Sequence, residues 1–537
     1  MSQSRYTADA AAAVAEGWAL ARLTPPSRLY GANGLATGPD GRIWVAQVPA
    51  SQVSAINPDT GAIEVISPMG GEIVAPDDLV FDDKGNLYLT EITLGRVTMR
   101  TPDGRTRVLH GDIPVANPIT WHQGRLFAGE CRAGGRLLEL DPAGSAPPRV
   151  ILEGVPMANA FQIGPDGRLY VPVMGANEIW RVDVESGACE VVAGGLGVPD
   201  SVKFDSRGRI VSTQVASGEV LRIDPQSGAR EVLARPGPGL DNVTFVGERL
   251  FVSSINGSIT EVLEPGKVRP LVQRGLQWPL GIAAADDGQV LVCDGIFGYV
   301  LDGTAQGIEV LRLAGMAFWP GSPGYLRGAA TGATAGEWLV TTGLGMVARY
   351  RPDEGASDIL AIGFDRLMGI AGSPHGAVAF AEQGAGRVHL IDGGEVRCLG
   401  SGMEQPMGLA FLGESVIVAE AGAGRVTAID PSGGKTTLAE GLGRPEGLCL
   451  RDGRVIVVDT LGRRVVEIDP ETGRQSELAM RLPVGTPPGV VPPFLGPIGD
   501  MAGPMVNFAD IACTRDGTLL IAGDAEGSVL SLKCEHG

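Results

Sequence analysis

The chain has 537 residues, 44% hydrophobic and 5% aromatic, enough to bury a sizeable core and long enough to favour two or more domains. A net charge of -19 excludes a nucleic-acid backbone or an anionic membrane as a natural partner and points to small or neutral ligands. Seven cysteines, odd in number and without a CxxC pair, exclude a disulfide framework and a zinc site and suit a reducing, cytoplasmic setting.

In chain order, the first segment is MSQSRYTADAAAAVAEGW. Its alanine run predicts a short helix and no signal peptide, since Glu16 interrupts it before any cleavage-like site. No later segment has the length and apolarity of a membrane span. From residue 32 a unit recurs with a period of about 40 to 45 residues, the length of one four-stranded propeller blade. In DGRIWVAQVPASQVSAINPDTGAIEVIS, from Asp40, a PDG turn leads into the alternating strand RIWVAQ, then QVSAIN, a PDTG turn and AIEVIS. GLAT precedes them as the innermost strand. Glycine and proline fall between such runs as turn residues. Twelve units begin near residues 32, 76, 116, 158, 199, 240, 279, 326, 367, 406, 445 and 508.

One ring of twelve blades would leave a wide axis, whereas two rings of six close around narrow channels. The expected fold is therefore all-β, two tandem six-bladed propellers over residues 29–276 and 277–537, with residues 1–28 as a separate N-terminal piece. The last unit stops after its third strand, SVLSLK, and GWALARLT near the N-terminus is a candidate for the missing fourth. A strand within the first ring is the alternative for that segment. Two long insertions, 316–327 and the proline-rich 482–508, join an outer strand to the next inner one, overhang the mouth and predict lids or interface padding between the rings.

The inner strands of the first six units read ANGLATGPDG, PDDLVFDDKG, ANPITWHQG, ANAFQIGPDG, PDSVKFDSRG and LDNVTFVGE. Their second residues, Asn33, Asp77, Asn117, Asn159, Asp200 and Asp241, start the innermost strands and so converge on one axis. Anionic and neutral oxygens in that mixture are what a hard cation such as Ca2+ takes as ligands. Asn and Asp also cap strands or bind channel water. The last six units serve as a control: Leu280, Arg327, Met368, Met407, Glu446 and Ala509 hold the same position. A fold that accepts leucine and methionine there does not need Asn or Asp for capping. The second ring reads as a structural companion or an apolar cup with Arg327 and Glu446 as polar handles.

Acids end many second strands: Glu91, Glu130, Asp294, Glu382, Glu420 and Asp459. Arg96, Arg136, Arg387, Arg425 and Arg464 follow five or six residues after all but Asp294, which predicts repeated ion pairs; Glu130 stays a weak candidate for substrate binding. None of His110, His122, His375, His389 and His536 falls on the ring or beside a GxSxG turn, which argues against a serine–histidine triad.

The PDG-turn repeats and the Asn/Asp ring resemble the SMP-30/gluconolactonase/LRE-like superfamily of calcium-dependent six-bladed lactonases and esterases. That resemblance covers the first six units. It implies a catalytic cation held by a glutamate of the first blade, asparagines of the middle blades and an aspartate in a PDG-like phrase of the fifth. Asn117, Asn159 and Asp200 match by blade and motif; Asn33 stands where the glutamate would, and Asp77 and Asp241 are additional acids. The phrases YLTEITLGRVTMRTPDG and IVVDTLGRRVVEIDPETG are also similar to streptogramin-lyase and NHL repeats, propellers with other functions. The resemblance implies hydrolysis of a lactone or ester of a small molecule, with Asp200 as ligand and catalytic base or nucleophile. A lyase or isomerase on the same ring, or a non-enzymatic binding or scaffold protein, is the alternative.

Overall fold

The computed structural model describes residues 4–302 and 311–535; His536 lies outside them. The fold is all-β, and the strands form twelve sheets of four or five strands, ten of them taken wholly in order along the chain and the last two joined by N-terminal strands. In blade one, Leu35–Thr37, Ile43–Gln47, Gln52–Ile56 and Ile63–Ser67 pair successively and antiparallel. The turns explain why. In the loops NPDTG, DVESG, DPQSG and DPETG the leading side chain caps the turn: Asn57 Oδ1 accepts from the amides of Asp59 and Thr60, and Asp224 Oδ1 from Gln226 and Ser227. Each loop then closes on a glycine with positive φ, such as Gly61 at 68°.

The chain divides into two compact units, each with its own ring of six blades. In the first, the inner strands of blades one to six pack side by side and the sixth returns against the first. Leu35, Ile43 and Ile56 of blade one share a core with Phe251, Ile259 and Val272 of blade six, so the ring closes through apolar burial, at about 2 kcal/mol per large side chain. In the second unit, the inner strands of blades seven to twelve close in the same way.

The N-terminus departs from the helix that its alanine run predicts. Ala13–Val14 pairs with the outer strand of blade eleven, opposite Ala479 and Met480, and Trp18–Arg22 pairs with Ser528–Cys534 as the fourth strand of blade twelve. A run this short is marginal as an isolated helix in water, and open sheet edges satisfy its backbone groups at once. Trp18 and Leu20 pack against the apolar cluster of Leu519, Leu530 and Leu532, and the Arg451 guanidinium lies over the Trp18 ring.

The proline-rich insertion is also divided. Val491–Asp500 belongs to the first unit, where Gly496 approaches Thr93 and Gly499 approaches Val115, so the second domain is not the uninterrupted 277–537. Within the second unit, Met505, Val506 and Phe508 pack with Trp278, Leu280, Met368 and Met407. The cup expected over that ring is therefore covered in part by the protein's own chain. Among the described residues, no helix is long and apolar enough to cross a membrane.

Candidate functional site

Two backbone devices shape the starts of the inner strands in the first propeller. The residue two positions before it is left-handed in all six blades: Gly31, Ala75, Val115, Met157, Val198 and Gly239 have φ between 46° and 90°. For Val115 and Val198, β-branched residues, that conformation is costly and needs a surrounding structure that enforces it. A register shift follows in blades two, three, five and six, between Pro76 and Leu79, Ala116 and Ile119, Pro199 and Val202, and Leu240 and Val243. Such bulges bend a strand end and re-aim its side chains. Hydroxyls on neighbouring second strands then fix the backbone: Ser253 Oγ donates to Asn33 O at 2.7 Å, Thr90 Oγ1 to Asn117 O at 2.7 Å, and Thr213 Oγ1 to Asp241 O.

All six ring residues are buried, with Asp200 only 3% exposed. Asn33 Nδ2 donates to Asp241 Oδ2 at 3.1 Å, and Asn159 Nδ2 donates to Asp200 Oδ2 at 2.9 Å and to Met174 Sδ at 3.0 Å. Asn159 Oδ1 accepts from the Ala160 amide. Asn117 occupies the equivalent bulge and is buried. Burial, and then the charge of Asp78, pushes the Asp77 carboxyl up to about 8. Burial also holds Asp200 and Asp241 far above the carboxylate range, with Asp77 and Asp78 adding to both and Asp200 adding to Asp241. Asp200 Oδ1 is buried without a hydrogen-bond partner. The nearby Cys131 thiol is pushed up by burial and by Asp77, Asp200 and Asp241, so it is no thiolate nucleophile.

A second tier escaped the sequence reading. Asp78, raised to about 6 by burial, accepts from the amides of Leu79 and Ile119 and from Asn242 Nδ2, and it faces the Lys203 ammonium electrostatically. Asp78 and Asn242 each directly follow a ring residue, and Lys203 stands three after Asp200; the repeat alignment marks those columns, but only the structure joins them.

The oxygen donors fit a divalent cation. The crowded carboxylates repel one another and one oxygen has no donor, both of which a cation would relieve. Among the described residues no three His, Cys, Asp or Glu side chains form a metal cluster, so asparagine oxygens would have to contribute, with the Asn33 and Asn159 amides turned from their present donation.

The other candidates have different surroundings. Glu130 is fully buried and paired with Arg132 and Arg136. Glu91, Glu420 and Asp459 likewise hold Arg96, Arg425 and Arg464. Glu382 is the exception: it takes His389 Nε2 at 2.8 Å in place of Arg387, because His389 lies two residues further along the facing strand and its ring reaches back. Asp294 caps Gln277 and Trp278 through their amides. In the second propeller Glu446 accepts from Arg444 Nε at 2.7 Å and the Ala509 amide at 3.0 Å, while Arg327 lies over Trp278.

A gluconolactonase of Zymomonas mobilis is 32% identical over 75 residues, 14% of this chain and 21% of that protein's length. Among solved structures, virginiamycin B lyase from Staphylococcus aureus with quinupristin is 18% identical, covering 51% of this chain and 95% of that one, with a TM-score of 0.38. A putative gluconolactonase is 16% identical, covering 48% and 96%, with a TM-score of 0.38. The SMP-30/Gluconolactonase/LRE-like region matches residues 74–256, from blade two into blade six. The matched residues, about a third of the chain, carry five of the six ring positions.

Proposed function

We propose that the first propeller is a divalent-cation-dependent hydrolase acting on a lactone or ester of a small organic molecule, with Asn33, Asp77, Asn117, Asn159, Asp200 and Asp241 as the axial site and Ca2+ as the ion. The observation that carries this reading is the burial of three mutually repelling carboxylates around an unpartnered Asp200 oxygen. A bound cation would supply a Lewis acid for a substrate carbonyl and charge compensation for the ring.

The chain's own groups do the rest. In the cation-free arrangement Asn159 Nδ2 holds Asp200 Oδ2 and Asn33 Nδ2 holds Asp241 Oδ2, and Asp200 Oδ1 is left as the acceptor for a proton from the attacking water or as the attacking atom itself. The hydroxyls of Thr90, Thr213 and Ser253 hold the backbone carbonyls of Asn117, Asp241 and Asn33, which fixes the main chain that carries these side chains.

The test is elemental analysis of the purified protein before and after chelation, followed by a screen of lactones and aryl esters in 18O-labelled water. Chelator-sensitive turnover with label in the acid product supports hydrolysis. Turnover without label assigns the ring to lyase or isomerase chemistry. A protein that loses stability but no turnover on chelation holds the ion structurally.

A further inference from the structure

The second propeller carries a buried cation that its own chain leaves without a counter-charge. Arg327 holds in blade eight the position that Asp200 holds in blade five, also beside a register shift, between Leu326 and Ala329. It is 2% exposed. Its Nη2 donates to Pro504 O at 3.3 Å, and Cζ lies 4.6 Å from the centroid of the Trp278 ring. Nη1 is buried and has no hydrogen-bond partner among the described residues. Glu446, the other polar residue of this ring, is already taken by Arg444 and the Ala509 amide. The groups that face Arg327 electrostatically are Tyr325 and Cys293, and the Cys293 thiol is itself pushed up by burial. Burial lowers Arg327 to about 10, which leaves it cationic at neutral pH.

Buried guanidinium groups are paired, because desolvating an uncompensated charge is costly and arginine does not escape the cost by losing its proton. The ring face of Trp278 offsets part of that cost but offers nothing to Nη1. Beside the guanidinium stands Gly343, where a Cβ would come within 3.1 Å of Nη2 and 3.4 Å of the Gly503 amide nitrogen. Glycine there lets the Gly503 backbone pack against the Nη2 side of the guanidinium. The surrounding cluster is apolar, with Leu280, Met368, Met407 and Phe508.

We propose that Arg327 Nη1, inside the second propeller, binds a small, weakly hydrated monoanion. One cation with one unused donor matches a single negative charge, and a divalent anion would bring an excess charge into an apolar surround. Walls of leucine, methionine and phenylalanine return no hydrogen bonds, so an anion that sheds water readily is favoured over a strongly hydrated one. A halide and the carboxylate end of a short aliphatic acid share this chemistry. The proposal is independent of the reaction assigned to the first propeller.

The test uses the full-length protein crystallised with sodium bromide and, separately, with sodium butyrate. An anomalous bromide peak in hydrogen-bonding contact with Nη1 is the expected result; a planar carboxylate there in the second crystal identifies the organic source. Water at that position in both crystals overturns the proposal. In solution, replacing fluoride by bromide at constant ionic strength raises the melting temperature of the wild type with the logarithm of bromide concentration, and Arg327→Gln abolishes the dependence. An equal dependence in both proteins places the effect elsewhere and refutes the site. Should Arg327→Gln fail to fold, the wild-type crystals decide alone.

Discussion

The cation site proposed for the first propeller predicts an affinity that depends steeply on pH. Asp77 is raised to about 8, first by burial and then by Asp78, and Asp200 and Asp241 are raised by burial and by their acidic neighbours. Without a cation the native protein therefore binds protons that the unfolded chain, with carboxyls near about 3.9, has already released. Stability from these groups is fully present below the unfolded value and is lost as pH rises through the folded one. A cation reverses the sign of that dependence, because it must displace the protons to bind. Displacing one proton from Asp77 costs a factor of about two at pH 8 and about 100 at pH 6, so affinity falls about 50-fold between them for that residue alone. Calcium titration of chelated protein by calorimetry, in two buffers of different ionisation enthalpy, gives both the affinity and the number of protons released. An affinity that changes less than about threefold over that range, with no proton release, would show that the ion binds elsewhere or that the carboxylates are already ionised.

Further tests separate site from scaffold. Asp200→Asn is expected to lower kcat/KM by about 100-fold or more by removing the charged oxygen at the ring; unchanged turnover in the screened reaction would remove Asp200 from the mechanism. Leu280→Ala, at the same position in the second ring and fully buried, is expected to cost about 2–5 kcal/mol in denaturant unfolding and leave kcat/KM unchanged. Arg425→Ala leaves the buried Glu420 with only Thr427 and the Glu404 amide, and about 1–3 kcal/mol should be lost, the partial exposure of Arg425 holding the figure below that of a fully buried pair. Leu20→Asp places a charge against Leu530 and Leu532 and is expected to cost about 2 kcal/mol or more; no shift in the unfolding midpoint would mean that the N-terminal strand contributes little to blade twelve.

The blades were legible because each is a local object: a turn, a run of alternating residues and another turn, written twelve times over. The ring residues were legible for the same reason, since equivalent positions of a repeat are equivalent in space. What the repeat does not encode is contact between columns. Asn242 meets Asp78 across 164 residues of chain, and Thr213 reaches Asp241 only because two blades lie side by side. The left-handed residue before each ring position is hinted at by Gly31 and Gly239 but hidden at Ala75, Val115, Met157 and Val198, whose types give no sign of it. The alanine run was misread because its strand partner lies more than 460 residues away.

The register shift recurs in both halves, next to Asp200 in blade five and next to Arg327 in blade eight. It thus directs whatever side chain follows it and does not by itself make a cation site. All six ring positions of the first propeller follow a left-handed residue, whereas in the second only Met368 and Met407 do among the described residues, after Arg366 and Gln405.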